Sequence, residues 1–392
     1  MSGKIASWSE LTDLLRPAEE LLQLTWNPDS DPQRAELYRQ LLMNVSLGYF
    51  LYFQADPDHP DWAPFLNSVF LLQPNPDDTY FLARVRGDGV YRITGERGSV
   101  YMLTFVTGAG IMGLASTPGK GMDQYDAVDL QLQSDGSFDV IMSSERPADH
   151  TGNWWRLDPG ADYIMVRQRS YNWGVERDAR IAIERIDHFS PKPRPSAEAI
   201  VADIRELLAG FTPRLTKMWL QFQNGLRDRG MINEFEFANF GDIGAIRIQH
   251  YWQCVFELQP GMALVMETEV PRVCRYWNVQ LNDPLFNTIE YIYRQSSLNG
   301  HQAQLDSDGR FRAVLALEDP GVPNWLDTGG FTQGTVMGRW YAADSQPLPT
   351  IKAVPLSEVR KFLPGDTPRV SPSDRERQLR ARIRGGQLRR RW

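Results

Sequence analysis

A signature recurs in the two halves of this chain, and it narrows the possible folds more than any other feature. Ser134-Asp135-Gly136-Ser137-Phe138 leads into a strand-like run, a proline-containing stretch, Asn153-Trp154 and then Arg167. Ser307-Asp308-Gly309-Arg310-Phe311 leads into a strand-like run, Asp319-Pro320-Gly321, Asn324-Trp325 and then Arg339-Trp340. The Asp-to-Asn spacing is 18 residues in the first copy and 16 in the second, and the Asn-to-Arg spacing is 14 and 15. Four landmarks in the same order mark a duplicated supersecondary unit: a hairpin, a long loop, an Asn-Trp corner and a return strand.

The residues around the signature alternate with a period of two. YFLARVRGDGVYRITGERGSVYMLTFVTG (80–108) holds three strand candidates separated by glycine turns, and DLQLQSDGSFDVIMSS (129–144) reads as a hairpin about an Asp-Gly turn. No βαβ rhythm is present, which favours antiparallel sandwiches over a parallel sheet. The pattern predicts a mainly β fold with helical segments (α+β), in which two antiparallel β-sandwich domains are joined by a helical connector. The expected divisions are a helical region (1–70), an N-terminal sandwich (71–190), the connector (191–240), a C-terminal sandwich (241–365) and a basic tail (366–392). Ser7 and Glu10 have capping-box spacing, Pro17 should kink the first helix, and Asp31-Pro32 should open a second. On that second helix Tyr38, Leu42, Val45, Tyr49 and Tyr52 form a stripe expected to be a packing face. Ser196 should cap a helix in the connector.

The N-terminus has no apolar core or cleavage site of a signal peptide, and no window approaches 18 uncharged apolar residues, so a cytoplasmic protein is the expectation. Residues 373–392 carry eight Arg against one Asp and one Glu, a net of +6, which leaves −13 on the rest. A solvated terminal helix, or one docked on its own acidic body, is preferred, and nucleic acid is not an expected partner. That preference follows because Gly385-Gly386 should interrupt the helix and only Trp392 could serve as an aromatic anchor for nucleic acid or lipid.

Phosphate-binding loops, nucleophile elbows and HExxH pairs are absent from the sequence. GAGIMG (108–113) matches a dinucleotide fingerprint by letter, but Pro118-Gly119 follows too soon for the helix such a site needs, so it reads as a turn. His59, His150, His188, His250 and His301 show no ligand spacing, and neither a metal nor a cofactor is expected. Cys254 and Cys274 read as small apolar residues.

Glu267 and Glu269 share one face of a strand, either as a solvated surface or as carboxylates for acid-base work. Tyr276, Trp277 and Asn278 mix polar and aromatic groups as a strand lining a pocket would. Arg167 and Arg339 sit at equivalent places in apolar strands, and a buried guanidinium needs partners. Each either ties down its own Asn-Trp loop or clamps a ligand carboxylate or phosphate. Arg294 has no counterpart in the repeat. The catalytic candidates are therefore Glu267, Asp319 and Arg294. The ligand-binding candidates are Tyr276, Trp277, Asn278, Tyr293, Asn324, Trp325, Arg339 and Arg167.

NPDDTY (75–80), YRITGERG (91–98), VRQRSYNW (166–173), PRVCRYWNVQLND (271–283) and DPGVPNWLDTGGF (319–331) followed by Arg339-Trp340 resemble a bacterial family. Its labels are domain of unknown function 1254 for the N-terminal half and 1214 for the C-terminal half. The resemblance implies two β-sandwiches, the C-terminal one jelly-roll-like, with a helical part and no agreed activity. The combined expectation is a protein that binds a small organic ligand, sugar-like or lipid-like, in the C-terminal sandwich or at the domain junction. A metal-independent hydrolase or other catabolic enzyme is one form this could take. The alternative is a structural or interaction protein, a homo-oligomer included, that assembles through sandwich edges or the Arg-rich tail.

Overall fold

The computed structural model describes residues 5–65, 73–117, 119–238, 240, 246 and 248–389. The expected boundaries at 70/71 and 240/241, and Trp392, involve positions outside the described residues.

Each copy of the repeat builds two sheets. In the first copy, β1 (Ala63–Phe65), β2 (Asp78–Arg84), β4 (Met102–Gly108), β5 (Gly121–Asp126) and β8 (Tyr163–Arg169) form a sheet of order β1-β2-β8-β4-β5. β3 (Tyr91–Glu96), β6 (Ser137–Ser143), β7 (Asn153–Arg156) and β9 (Arg180–Arg185) form a second sheet of order β7-β6-β3-β9. In the second copy, β10 (Glu236–Ala238), β11 (Gln249–Glu257), β13 (Cys274–Asn282), β14 (Ser297–Asn299) and β17 (Gln333–Ala343) run in the order β10-β11-β17-β13-β14. β12 (Met262–Thr268), β15 (Phe311–Ala316), β16 (Trp325–Asp327) and β18 (Thr350–Pro355) complete it in the order β16-β15-β12-β18. The two orders match place for place, so the duplication is one of topology as well as of letters. The pairing is antiparallel except at β6–β7 and β15–β16, which are parallel.

Alternation along the strands gives each five-stranded sheet two different faces. On β8, Ile164 and Val166 join Phe105, Tyr91 and Val140 in the first sandwich core. On β17, Val336 and Trp340 join Trp252, Leu264 and Phe311 in the second. The opposite faces meet between the repeats. There Met165, Tyr80, Tyr251 and Met337 form a third core with Leu215 and Trp219 of a helix, α4 (Thr212–Asp228).

The Asn-Trp corners do the same work in both copies. Asn153 accepts the Gln131 N–H at 2.8 Å and donates to the carbonyls of Gln131 and Asp139. Asn324 accepts the Gln304 N–H at 2.9 Å and donates to the carbonyls of Gln304 and Arg312. Trp154 Nε1 reaches Ser143 Oγ and Trp325 Nε1 reaches Ala316 O, both at 3.0 Å. These amides take the place of a strand: the turns expected at Asp135-Gly136 and Asp308-Gly309 close, with Gln133 N–H on Ser137 O and Asp306 N–H on Arg310 O, but residues 131–133 and 303–306 are not strands, so the first arm of each expected hairpin does not form. A side-chain amide satisfies the backbone there, and β7 and β16 add on the parallel side instead.

The helices are α1 (Trp8–Thr12), α2 (Asp31–Tyr49), α3 (Ala197–Arg205), α4 (Thr212–Asp228) and α5 (Pro372–Gln387). Ser7 and Glu10 close their capping box, Pro17 lies in a 3₁₀ stretch after α1, and Ser196 caps α3. Ser30 caps α2, with Asp31 and Pro32 inside its first turn. The expected packing stripe of α2 is only partly one: Tyr38, Leu42 and Tyr49 are exposed. The helix buries Leu37, Leu41 and Leu47 together with Asn44, whose amide donates to Thr216 Oγ1 of α4 at 2.6 Å. Leu37, Leu41, Asn44 and Leu47 follow at four- and three-residue spacing and fix that face more strongly than tyrosines, which keep a hydroxyl in water.

The basic tail folds back on the body. Arg375 pairs with Asp319 at 2.9 Å, Arg382 donates to Tyr291 O and Ser297 Oγ, and buried Arg389 donates to the carbonyls of Pro76 and Asp77. Arg375 and Arg382 are seven positions apart on α5 (Pro372–Gln387), two helical turns, so both point inward, and Arg389 follows just past the helix end. Arg382 and Arg389 both lie over the Trp173 ring, at 4.7 and 5.5 Å. Gly385-Gly386 does not interrupt α5. A Cβ on Gly385 would sit 2.9 Å from Trp173 Cβ and 3.0 Å from its carbonyl carbon, so the glycine permits a close approach.

Gly385→Ala should therefore destabilise the protein by roughly 1–3 kcal/mol in urea unfolding, because overpacking outweighs alanine's helix propensity. A stabilised variant would show that α5 is not seated against Trp173.

Candidate functional site

Where the free faces of the two five-stranded sheets meet beneath α4, they enclose a cavity of about 100 Å³. Tyr80, Tyr163, Tyr251, Trp219, Phe65 and Phe286 supply its aromatic wall. Its charged lining among the described residues is Arg167, Arg169, Arg339 and Asp78, with Gln73 and Gln249 beside them. The Gly110-Ile111-Met112 turn that follows β4 closes one side, which gives the GAGIMG segment a place in the cavity wall without a dinucleotide-binding helix.

The strand ladders set the charged groups. Arg167 stands opposite Tyr80 across β8–β2, and Arg339 stands opposite Tyr251 across β17–β11. Each guanidinium lies over the ring of its own partner, at 5.6 Å for Arg167 and 5.4 Å for Arg339. A desolvated cation over an aromatic face gains about 2 kcal/mol, which helps both cations stay buried. Two residues further along each strand the copies differ. Asp78 opposes Arg169 in the first, whereas Gln249 opposes Tyr341 in the second.

Arg169 and Asp78 form a fork, with Nε to Oδ1 at 2.6 Å and Nη2 to Oδ2 at 2.8 Å, and both side chains are almost wholly buried. The third donor of Arg169, Nη1, reaches Gln249 Oε1 across the repeats at 3.0 Å, and its guanidinium lies 4.0 Å from the Tyr276 ring centre. Burial would raise the Asp78 carboxyl, but Arg169, with Arg167 and Arg339 beyond it, brings it below the ordinary carboxylate value. Asp78 is thus an anion already committed to Arg169.

Arg339 is held differently. It donates to Gln280 Oε1 at 2.6 Å, Asn278 Oδ1 at 3.3 Å and Gln73 Oε1 at 2.7 Å, all neutral acceptors. Gln73 has a φ of 56°, in the left-handed region that a side chain makes costly. The guanidinium is only 3% exposed, so it is a buried charge whose hydrogen-bond partners carry none.

Of the residues picked out in the sequence, Arg167 and Arg339 line this cavity, and Tyr276 and Asn278 support it from beneath. Arg339 makes no hydrogen bond to the Asn324-Trp325 corner, which its own side-chain amide and indole already tie down. Asn324 and Trp325 are therefore structural, and Trp277 packs in the second sandwich core. The three catalytic candidates do not converge. Glu267 is paired with Arg310 and Arg312 across β12–β15, Asp319 with Arg375 of α5, and Arg294 with Asp327 in a separate recess. Glu269 also pairs with Arg310. Tyr293 is more than half exposed at the groove beneath α5. Two arginines thus share the Glu267 carboxylate, one on each oxygen, which commits it to ion pairing. Among the described residues, no group of three or more His, Cys, Asp or Glu could hold a metal ion.

Asp78, Tyr80, Arg169, Gln249 and Tyr251 were not singled out as site residues. The two-residue alternation through Arg167 and Arg169, placed beside that through Asp78 and Tyr80, is the signal that could have found four of the groups.

A family model described as protein of unknown function (DUF1214) matches residues 83–172 and 257–345, one stretch in each repeat. The same description thus falls on both halves, including the one for which the resemblance suggested 1254. An uncharacterised protein from Burkholderia cenocepacia, solved by crystallography, is similar at 28% identity and a TM-score of 0.79, covering 89% of this chain and 97% of that one. A Vibrio parahaemolyticus protein of known structure is 11% identical, with a TM-score of 0.47, over 88% of this chain and all of that one. No curated protein matches the chain. No helix among the described residues is long and apolar enough to cross a membrane.

Removing one partner of the Arg169–Asp78 fork should leave a buried unpaired charge. Arg169→Met is expected to cost about 3–5 kcal/mol in chemical unfolding, and Arg169→Met with Asp78→Leu to recover most of it. A double variant as unstable as the single one would contradict this account of the pair.

Proposed function

We propose that the cavity between the repeats binds a small organic anion, with Arg339 as the principal anchor. The observation that carries this reading is a guanidinium, 3% exposed, that lines a cavity and is hydrogen-bonded only to neutral amide oxygens. Burying a cation without a counter-ion is costly, whereas a carboxylate beside it would form charge-assisted hydrogen bonds. The aromatic wall suits a short apolar body attached to that carboxylate. At about 100 Å³ the space is smaller than the roughly 150 Å³ apolar cavity that takes benzene, so a molecule of a few carbons fits better than a sugar ring or a lipid chain. The site lies at the junction, not inside the C-terminal sandwich. The inward docking of Arg375, Arg382 and Arg389 favours this reading over assembly through the tail.

The test is calorimetric titration with acetate, propionate and butyrate against the corresponding neutral amides. Carboxylates should bind and the amides should not. Arg339→Gln should weaken every carboxylate by about tenfold or more, while Arg294→Ala, outside the cavity, should leave binding intact. Equal binding of acids and amides, or an unaffected Arg339→Gln, would defeat the proposal.

A further inference from the structure

Resting on that reading, we infer that the preferred ligand is a short dicarboxylate that lies between the repeats, one carboxylate on Arg339 and the other on Arg167. Three observations lead there. The Tyr-Arg cross-strand pair is retained in both copies, Tyr80–Arg167 and Tyr251–Arg339, with the same ring-over-cation arrangement, and both pairs line one cavity. The neighbouring pair has diverged, Asp78–Arg169 against Gln249–Tyr341, so retention of the first is not a by-product of the strands being alike. The charged groups lining the cavity among the described residues are three guanidinium groups and one carboxylate, Arg167, Arg169 and Arg339 against Asp78, which is a formal excess of +2.

Arg167 keeps interactions of its own. A guanidinium carries five N–H donors in a planar fork, so it can serve a carboxylate and a protein acceptor at once. Apolar residues of the same lining, among them Met165 and Phe286, would face the methylene groups.

The experiment compares oxalate, malonate and succinate with acetate, propionate and butyrate by calorimetry on the full chain at fixed ionic strength. At least one diacid should bind about tenfold or more tightly than the monoacid of equal carbon number. Arg167→Gln should remove that advantage, so that each diacid binds no more tightly than the monoacid of equal carbon number. Arg167→Lys, which keeps the charge and is a safeguard should the first variant fold poorly, should retain part of it. If the diacids bind no better than the monoacids, the dicarboxylate inference falls while the monoanion reading stands. If no acid of either kind binds, both fall.

Discussion

Two adjacent buried carboxylates, Asp77 and Asp78, hold this structure together because they face different halves of it. Asp78 takes the fork of Arg169 within the first sheet. Asp77 accepts Tyr276 OH at 2.6 Å, Asn299 Nδ2 at 2.7 Å and Trp173 Nε1 at 2.8 Å, so its partners come mostly from the second repeat. Burial pushes the Asp77 carboxyl up, and the Tyr276 and Asn299 hydrogen bonds pull it back toward the charged form. Around it Asn75 bonds Tyr276 and Asn278, and the Pro74 carbonyl accepts from Gln280 and Thr288. Buried polar groups of this kind stabilise little but specify geometry, since a misplaced neighbour leaves a charge unsatisfied. The loop from Pro74 to Asp78 thereby fixes how one five-stranded sheet sits on the other, and the cavity exists because of that placement.

The duplication then acts as an internal comparison. Where both copies keep a residue in the same role, two kinds of job emerge. Asn153 and Asn324 replace ladder hydrogen bonds, and the tryptophans after them close the same corner. These positions are needed by each sandwich separately. Tyr80–Arg167 and Tyr251–Arg339 are not, because they point away from both sandwich cores toward the shared space. Where the first copy has Asp78 opposite Arg169, the second has Gln249 opposite Tyr341, so Arg339 has no hydrogen-bonded acid of its own.

Much of the architecture was legible because it depends on local alternation. The β alternation and the Ser7–Glu10 capping box follow from spacing within a few residues, the Asn-Trp repeat from landmarks 14 to 18 apart, and docking of the tail was one of the two readings its charge allowed. The hairpins at Asp135-Gly136 and Asp308-Gly309 were misread because a side chain eighteen or sixteen residues away supplies the missing bonds. Gly385 and Gly386 looked like a helix break, since nothing near them in sequence reveals Trp173 and Ile292 packed against them. Arg167 and Arg339 were visible as charges in apolar strands. Their convergence on one cavity was not, because it needs the fold of sheet on sheet. Glu267 looked available only because Arg310 and Arg312, which neutralise it, are more than forty residues away.

The most direct test of the anion cavity is a crystal structure of the full chain grown with sodium malonate in place of other anions. The account predicts density for a carboxylate within hydrogen-bond distance of the Arg339 guanidinium, inside the space walled by Tyr80 and Tyr251. A cavity holding only ordered water under those conditions would contradict it.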